Sequence, residues 1–233
     1  MSPVVGSPVL AQGRGTWDWE FAWEILPDLL RGMWVTVQIA VLGMGIALVL
    51  GLVLAIARRS RVHVIRWPVG FVIEFIRSTP LLVQLYFLFI VLPQSFDIVL
   101  PAFTLAVAGL GVHYACYTSE SYRAGIESVE RGQWEAATAL SLSKADTWRT
   151  VVLPQAVPRV IPALGNYVVA SLKDAPIASA ITVGTVLGVA DYIQSRTFRS
   201  MEVYTLAGVL FLAVSIPAAI GVRYLERRLG NPT

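Results

Sequence analysis

Residues 32–57 read GMWVTVQIAVLGMGIALVLGLVLAIA, a stretch of 26 residues without a charged side chain. At 1.5 Å per residue, a helix of this length exceeds the roughly 30 Å thickness of the hydrocarbon core of a bilayer. Only helices and closed barrels satisfy their backbone amides in lipid, and the stretch is too long for a barrel strand. It therefore predicts a transmembrane helix.

The composition of the whole chain agrees with a membrane protein. Of the 233 residues, 56% are hydrophobic and only 14% are charged, whereas soluble domains carry about 25% charged residues. Further long apolar runs predict an all-α polytopic fold with about five transmembrane helices. The predicted spans are residues 32–57, 68–92, 98–119, 160–190 and 203–222.

The fourth predicted span carries two charges near its middle. Lys173 and Asp174 interrupt an otherwise apolar run, residues 160–190. As one straight helix this run would extend about 46 Å, too far for a bilayer without strong tilt. Because Pro176 lies two residues beyond Asp174, we expect the helix to be broken or bent near residues 173–177.

The distribution of arginine and lysine predicts the orientation, because cytoplasmic loops are enriched in these residues. Four follow the first span and five lie in the loop 121–159, whereas the loop 93–101 has none. The N-terminus is therefore predicted outside and the C-terminus in the cytoplasm. Residues 1–16 are small and polar and are typical of a flexible tail. Residues 17–233 are predicted to form one transmembrane domain, in which the acidic and Trp-rich segment 17–30 is expected to be a short helix at the outer interface.

A polar segment, residues 135–154, reads EAATALSLSKADTWRTVVLP between two apolar regions. Its first residues favour a helix, and Ser143 and Asp146 have the spacing of a capping box that begins a second one. Leu153-Pro154 is expected to end this second helix. The segment thus predicts a cytoplasmic helical hairpin. The apolar face of its second helix would consist of Ala145, Trp148, Val151 and Val152.

The same residues resemble the EAA signature of the membrane subunits of bacterial ABC importers. Glu135-Ala136-Ala137 is followed at the signature's spacing by Ser141, Val151 and Leu153-Pro154. Ser141 replaces the usual glycine, so that a turn with positive φ would be made at some cost; Val151 replaces isoleucine. The resemblance implies a type I importer permease fold, in which this hairpin docks in a groove of the ATPase. The implied coupling residues are Glu135, Ala136, Ala137, Ser141, Trp148, Val151, Leu153 and Pro154.

The resemblance covers nearly the whole chain and is to the polar amino acid uptake branch of these permeases. The stretch EFIRSTPLLVQLYF at 74–87 is similar to the second span of that branch. The stretch LKDAPIASAITV at 172–183 is similar to another segment, with Ala175-Pro176 where Thr-Ser is usual. Several stretches, including the surroundings of His113-Tyr114, look most like ectoine and hydroxyectoine permeases.

This resemblance implies a membrane-spanning subunit of an ATP-driven importer in a bacterial inner membrane. Its solute would be small and polar or zwitterionic, for example an amino acid, ectoine or hydroxyectoine. The implied partners are a second permease subunit, identical or homologous, two cytosolic ATPase subunits, an extracytoplasmic solute-binding protein and membrane lipid. ATP and magnesium would bind to the ATPase subunits, because this chain lacks the phosphate-binding G-x-x-x-x-G-K-S/T motif. The chain itself is expected to bind no cofactor, metal or nucleic acid and not to be an enzyme.

Two other functions are less favoured by the sequence. An ion-coupled secondary transporter is the alternative, but it would be expected to show inverted repeats, and none is visible. A membrane-embedded hydrolase would need a nucleophile beside a base, or histidines at metal-ligand spacing.

Ionisable side chains at membrane depth are costly and are therefore candidate functional groups. Lys173, Asp174 and Glu120 could receive the charges of a zwitterionic solute. Pairing within the bundle or with a partner subunit is the alternative, and it is favoured for Glu74 and Arg77, as well as for Arg123. The candidate substrate-pathway residues are Arg77, Thr79, Gln84, Tyr117, Glu120, Lys173 and Asp174.

Aromatic side chains suggest a second possibility for the same pathway. A cage of aromatic rings can bind a delocalised or quaternary cation, although packing is the commoner role of aromatic residues at helical spacing. The candidate cage consists of Tyr86, Phe87, Phe89, Tyr114 and Tyr117.

Overall fold

The computed structural model describes residues 17–229, and every regular element in this range is helical. The predicted all-α class is confirmed, while the predicted tail at residues 1–16 lies outside the described residues. The helices of residues 17–229 are α1 (Trp19–Arg58), α2 (His63–Arg77), α3 (Leu81–Phe96), α4 (Ala102–Glu127), α5 (Arg131–Ala139), α6 (Lys144–Ile181), α7 (Val186–Thr197) and α8 (Ser200–Leu229).

Helix α1 runs through 40 residues without interruption. Its N-terminus is capped by Asp18, whose carboxylate accepts a 3.1 Å hydrogen bond from a backbone amide of the first turn. The separate interfacial helix predicted for residues 17–30 is therefore wrong. Pro27 does not end α1, because the neighbouring Ile25 and Leu29 are buried against α7 and α8 and hold this part of the helix in place.

Helices α1 and α4 form the centre of the bundle. A Cβ atom at Gly51 of α1 would lie 2.0 Å from Oγ1 of Thr118 on α4, so the two helices can approach this closely only because residue 51 is glycine. The Thr118 hydroxyl also donates a 2.9 Å hydrogen bond to the carbonyl of Ala47. The surrounding apolar core includes Ile39, Leu110, Leu172 and Ile181.

The second predicted span, residues 68–92, is not a single straight helix. Helices α2 and α3 are bent by 107° at the break between them. Thr79 precedes Pro80 in this break, and proline both lacks an amide proton and disfavours helical geometry in the residue before it. The side-chain amide of Gln84 closes the corner by donating 2.8 Å hydrogen bonds to the carbonyl of Ile76 and to Oγ1 of Thr79.

The fourth predicted span, residues 160–190, has its bend in a different place. Helix α6 changes to a tighter 3₁₀ helix over Ala175–Ile181, where Pro176 cannot donate to the α-helical ladder. The chain leaves the helix only at Thr182, whose φ is 68°, and α7 then continues at 47° to α6. The predicted break at residues 173–177 is thus a change of helix type, and the bend follows later.

The lengths of the helices agree with a polytopic membrane protein. Within residues 17–229, α1 and α8 are each long and apolar enough to cross a membrane, and the number rises to four if each bent pair forms one span. Helix α4, with 26 residues, contains most of the predicted third span, and α8 contains the predicted fifth. The count of five crossings stays a prediction.

Candidate functional site

The hairpin predicted from residues 135–154 begins with helix α5 and a tight turn. Ser141 has a φ of 52°, the left-handed conformation for which glycine is the usual residue. Its amide donates a 2.9 Å hydrogen bond to the carbonyl of Thr138, and the amide of Leu142 donates to that of Ala137 at 3.0 Å. Ser143 then caps α6 by accepting a 3.1 Å hydrogen bond from the amide of Asp146, as the capping box predicts.

The proline at the end of the hairpin does not terminate its second helix. Thr147–Val152 form a wider π-helical segment, and the chain then continues as the α-helix Leu153–Asp174. The prediction that Leu153-Pro154 ends the helix is therefore wrong. A π-helical turn changes the hydrogen-bond register, so that the missing amide of Pro154 is accommodated without a break.

Two tryptophans hold the inner side of the hairpin together. The rings of Trp134 and Trp148 meet edge to face, with their centroids 5.7 Å apart. Both pack on a buried cluster that includes Val129 and Val152. Trp148 and Val152 thus face inward as predicted, whereas Ala145 of the predicted apolar face is exposed.

The outer side of the hairpin remains exposed to solvent in this single chain. Leu140 next to the turn is 74% exposed and Leu153 is 45% exposed. Glu135 is also exposed and pairs with Arg131 at 3.1 Å, while Ala136 lies beside it on the surface. Of the predicted coupling residues, Ala137 and Trp148 support the hairpin from inside, and Val151 is half-buried.

A second group of residues, three of them predicted from the sequence, meets in the interior between α4 and α6. The phenol hydroxyl of Tyr114 donates a 2.6 Å hydrogen bond to Oδ2 of Asp174. The ring of Tyr167 lies 6.1 Å from that of Tyr114 and 5.8 Å from that of Tyr117, and the ring of His113 lies 5.1 Å from that of Tyr117. We call His113, Tyr114, Tyr117, Tyr167 and Asp174 the aromatic–Asp174 cluster.

The corner between α2 and α3 adjoins the aromatic–Asp174 cluster. Nδ1 of His113 and Oε1 of Gln84 are 3.1 Å apart, and the guanidinium of Arg77 lies over the ring of Tyr117 at 5.3 Å. Nε of Arg77 is buried without a hydrogen-bond partner in the described chain. Thr79 and Gln84 are both predicted pathway residues: the Thr79 hydroxyl and the amide nitrogen of Gln84 donate within the corner, and only the amide oxygen of Gln84 reaches the cluster.

Comparison with known proteins identifies relatives of this protein. A family model for the inner membrane component of binding-protein-dependent transport systems matches residues 47–231. The chain belongs to this family.

Individual relatives match this chain over nearly its whole length. "Probable amino-acid ABC transporter permease protein y4tG" of Sinorhizobium fredii is 45% identical over 92% of this chain and 94% of its own. The glutamine transport system permease protein GlnP of Escherichia coli is 34% identical over 91% of this chain and 97% of its own.

Solved structures establish the fold of this transport component. A crystal structure of an amino acid ABC transporter with histidines matches with a TM-score of 0.85 and 34% identity, covering 92% of this chain and 100% of that one. The methionine ABC transporter MetNI matches with a TM-score of 0.73 at 17% identity and supports the fold alone. The chain therefore has the predicted type I permease fold.

Two predicted pathway residues of this transport component lie away from the aromatic–Asp174 cluster. Lys173 is exposed beside Arg223 and Glu226 of α8, in a separate cavity. Glu120 binds Arg123 at 2.6 Å and lies 3.9 Å from Arg58, at the hairpin end of the bundle.

Not every member of the aromatic–Asp174 cluster was predicted from the sequence. Of the predicted cage, only Tyr114 and Tyr117 belong to it, while Tyr86 and Phe87 are exposed. His113 and Tyr167 were not predicted, although Tyr167 precedes Asp174 by seven residues and therefore lies on the same face of α6.

Proposed function

We propose that this chain is the permease subunit of an ABC importer for amino acids and transmits ATPase closure through the hairpin of α5 and the start of α6. The observation that carries this proposal is the hairpin's architecture, in which an exposed apolar tip is supported from inside by the Trp134–Trp148 contact. A rigid apolar projection beside a charged Glu135 suits docking on another protein.

The proposed assembly contains two permease subunits, identical or homologous, two ATPase subunits that bind ATP and magnesium, and an extracytoplasmic binding protein. Copurification tests the docking step. Leu140→Glu and Glu135→Lys should both reduce recovery of the ATPase subunit and its stimulation by loaded binding protein. Both side chains are exposed, so the permease should still insert normally.

Val99→Glu is the matched control, since Val99 is 81% exposed in the loop between α3 and α4 and lies outside the hairpin. It should leave copurification unchanged. Normal copurification and stimulation of both hairpin variants would refute the docking role, and equal losses in the Val99 variant would show a general effect of added charge on the membrane protein.

The solute is proposed to pass the aromatic–Asp174 cluster, where a carboxylate among aromatic rings can receive an ammonium group. Relatives of this chain are named for amino acids, glutamine and octopine, which favours amino acids as substrates. Ectoine is the second candidate substrate, because the chain has Pro176, two residues after Asp174, at the position where the amino-acid branch usually has serine. Competition of ectoine and glutamine for uptake of labelled solute distinguishes the two.

Asp174→Asn should impair uptake while leaving ATPase recovery normal. Glu120→Gln removes the ion pairs with Arg58 and Arg123 and tests whether Glu120 belongs to the pathway or has a structural role. Reduced thermal stability with normal uptake would assign Glu120 a structural role outside the pathway. Normal uptake by Asp174→Asn for every solute tested would refute the proposed route. Uptake that depends on an ion gradient but not on ATP would favour the secondary-transporter alternative.

We also propose an orientation in a bacterial inner membrane with the N-terminus outside and the hairpin in the cytoplasm. Cysteines introduced at Ser60 and Ser95 test it in a Cys116→Ala background, in which the native thiol has been removed. A membrane-impermeant reagent applied to intact cells should label position 95 and spare position 60. Labelling of position 60 from outside would reverse the proposed orientation.

A further inference from the structure

Helix α2 lies against the end of α1 and against α4, rather than continuing the axis of α3. Its buried residues are Gly70 and Ile73, and it meets α3 at an angle of 107°. Large apolar side chains cover its outer side, and Trp67 and Phe71 are 73% and 65% exposed. This arrangement is typical of a helix at the membrane interface, where tryptophan is enriched.

Beneath the exposed aromatic residues lies an open cavity of about 560 Å³. Its walls combine positive charge with apolar surface. The lining residues are Arg58, Arg66, Trp67, Phe71, Arg123 and Glu127. A cavity of this composition can bind an anion at one end and an apolar group at the other.

The cavity depends on a specific packing of Arg58. A Cβ atom at Gly70 would lie 1.3 Å from Nη1 of Arg58, so the guanidinium occupies space that any other residue at position 70 would fill. Arg58 is held only loosely by Glu120, at 3.9 Å. The absence of a side chain at position 70 therefore places a cationic group at the cavity wall.

The charges around the cavity are not balanced within the described chain. Glu120 and Glu127 are shared among Arg58, Arg59 and Arg123. Arg66 makes no ion pair among the described residues, so four arginines face two glutamates. The excess positive charge favours an anionic ligand.

We propose that this cavity binds the phosphate headgroup of an anionic phospholipid, with Arg58 and Arg66 contacting the phosphate and Trp67 and Phe71 contacting the glycerol and upper acyl chain. A soluble anion would need the arginines but would gain nothing from the exposed rings. A lipid uses both, because its phosphate and its apolar chain lie side by side at the interface.

Quenching of Trp67 by brominated lipid tests the proposal in the full permease complex in nanodiscs. Phosphatidylglycerol or phosphatidylcholine with the same brominated chains is added in equal proportion, and the signal of a Trp67→Phe variant is subtracted. Brominated phosphatidylglycerol should quench Trp67 more strongly. Arg66→Gln should weaken the preference for phosphatidylglycerol about fivefold, as expected for the loss of one cation near a membrane surface.

Two further variants distinguish this site from general surface charge. Gly70→Ala retains every charge but displaces the Arg58 guanidinium, which can move because it ends a flexible side chain. This variant should also reduce the preference for phosphatidylglycerol. Arg61→Gln removes an exposed charge that does not line the cavity and should leave the preference intact.

Three outcomes would overturn the proposal. Equal effects of Arg61→Gln and Arg66→Gln would show diffuse attraction of lipid without a site. Loss of the preference on addition of inorganic phosphate would assign the cavity to a soluble anion. Absence of lipid quenching together with crosslinking of position 67 to a second permease chain would assign the surface to contact between subunits.

Discussion

Tyr114 on α4 and Asp174 on α6 are joined by a 2.6 Å hydrogen bond, although 60 positions separate them in the chain. Tyr114 is only 5% exposed, and Asp174 is the last residue before the helix narrows to 3₁₀ geometry. The bond therefore connects two central helices at the place where one of them changes its pitch.

Removing this hydroxyl should destabilise the permease. Tyr114→Phe leaves the Asp174 carboxylate without its phenol partner, at an expected cost of about 1–3 kcal/mol. Tyr117→Phe is the control, since its hydroxyl makes only a 3.3 Å contact with the carbonyl of Arg77, and it should cost less. Thermal unfolding of the purified protein measures both, and a double-mutant cycle with Asp174→Asn should show non-additivity. Additive effects would mean that the bond contributes nothing.

The turn at Ser141 should tolerate glycine better than serine. A non-glycine residue in the left-handed region is disfavoured by roughly 1–2 kcal/mol, and the greater entropy loss of glycine offsets about 0.5–1 kcal/mol of that gain. Ser141→Gly is therefore expected to raise the unfolding temperature slightly. Ser143→Ala, two residues later, should lower it, because Ser143 caps α6. A decrease for both variants would contradict the strain argument.

Two glycines on α1 should respond differently to the same substitution. Gly51→Ala places a methyl group 2.0 Å from Thr118 Oγ1 and 2.9 Å from a backbone oxygen, which should cost about 1–3 kcal/mol through overpacking. A Cβ atom at Gly45 would meet no other atom within 4 Å, so Gly45→Ala should be neutral or slightly stabilising. Detergent melting curves of the two variants provide the comparison, and equal melting temperatures would refute it.

The contact between the start of α1 and the loop before α8 should respond to acid. Arg199 donates a 2.5 Å hydrogen bond to Asp18, and this contact lowers the pKa of the Asp18 carboxyl below its ordinary value of 3.8. Because the folded pKa is depressed, the contribution to stability is complete above about pH 3.8 and is lost as the pH falls through the folded value.

Substitution of Asp18 by asparagine separates the effect of the charge from that of the helix cap, because asparagine also caps helices well. Asp18→Asn should accelerate amide exchange at the start of α1 at neutral pH and have little effect in strong acid. Asp28→Asn, whose partner Arg31 is 81% exposed, should change little at either pH. An effect of Asp18→Asn that is equal at both pH values would exclude the ion pair as its cause.

Local patterns in the sequence predicted the hairpin better than the membrane interior. The Ser143–Asp146 cap and the turn at Ser141 involve neighbouring residues, so their spacing alone specifies them. Pro154 misled the prediction because a π-helical turn upstream can absorb a proline, and no local pattern announces such a turn.

The interior depended on tertiary geometry that no spacing reveals. Gln84 reaches His113 only because α2 and α3 meet at a sharp corner, and Glu120 meets Arg58 only because α1 and α4 end together. Tyr167 could have been found, since it shares a face of α6 with Asp174. Lys173 lies on a different side of the helix, towards Arg223 and Glu226, because adjacent residues of an α-helix are rotated by about 100° about its axis.

The π-helical segment at Thr147–Val152 has a mechanical consequence. Because the chain does not break at Pro154, one helix connects the hairpin to Asp174, over about 40 Å at 1.5 Å per residue. The helix stays continuous between these two ends even though Pro158 and Pro162 each remove one of its backbone hydrogen bonds. In the proposed coupling, a tilt imposed at Trp148 would be carried along this continuous helix towards Asp174, whose carboxylate accepts the hydrogen bond from Tyr114.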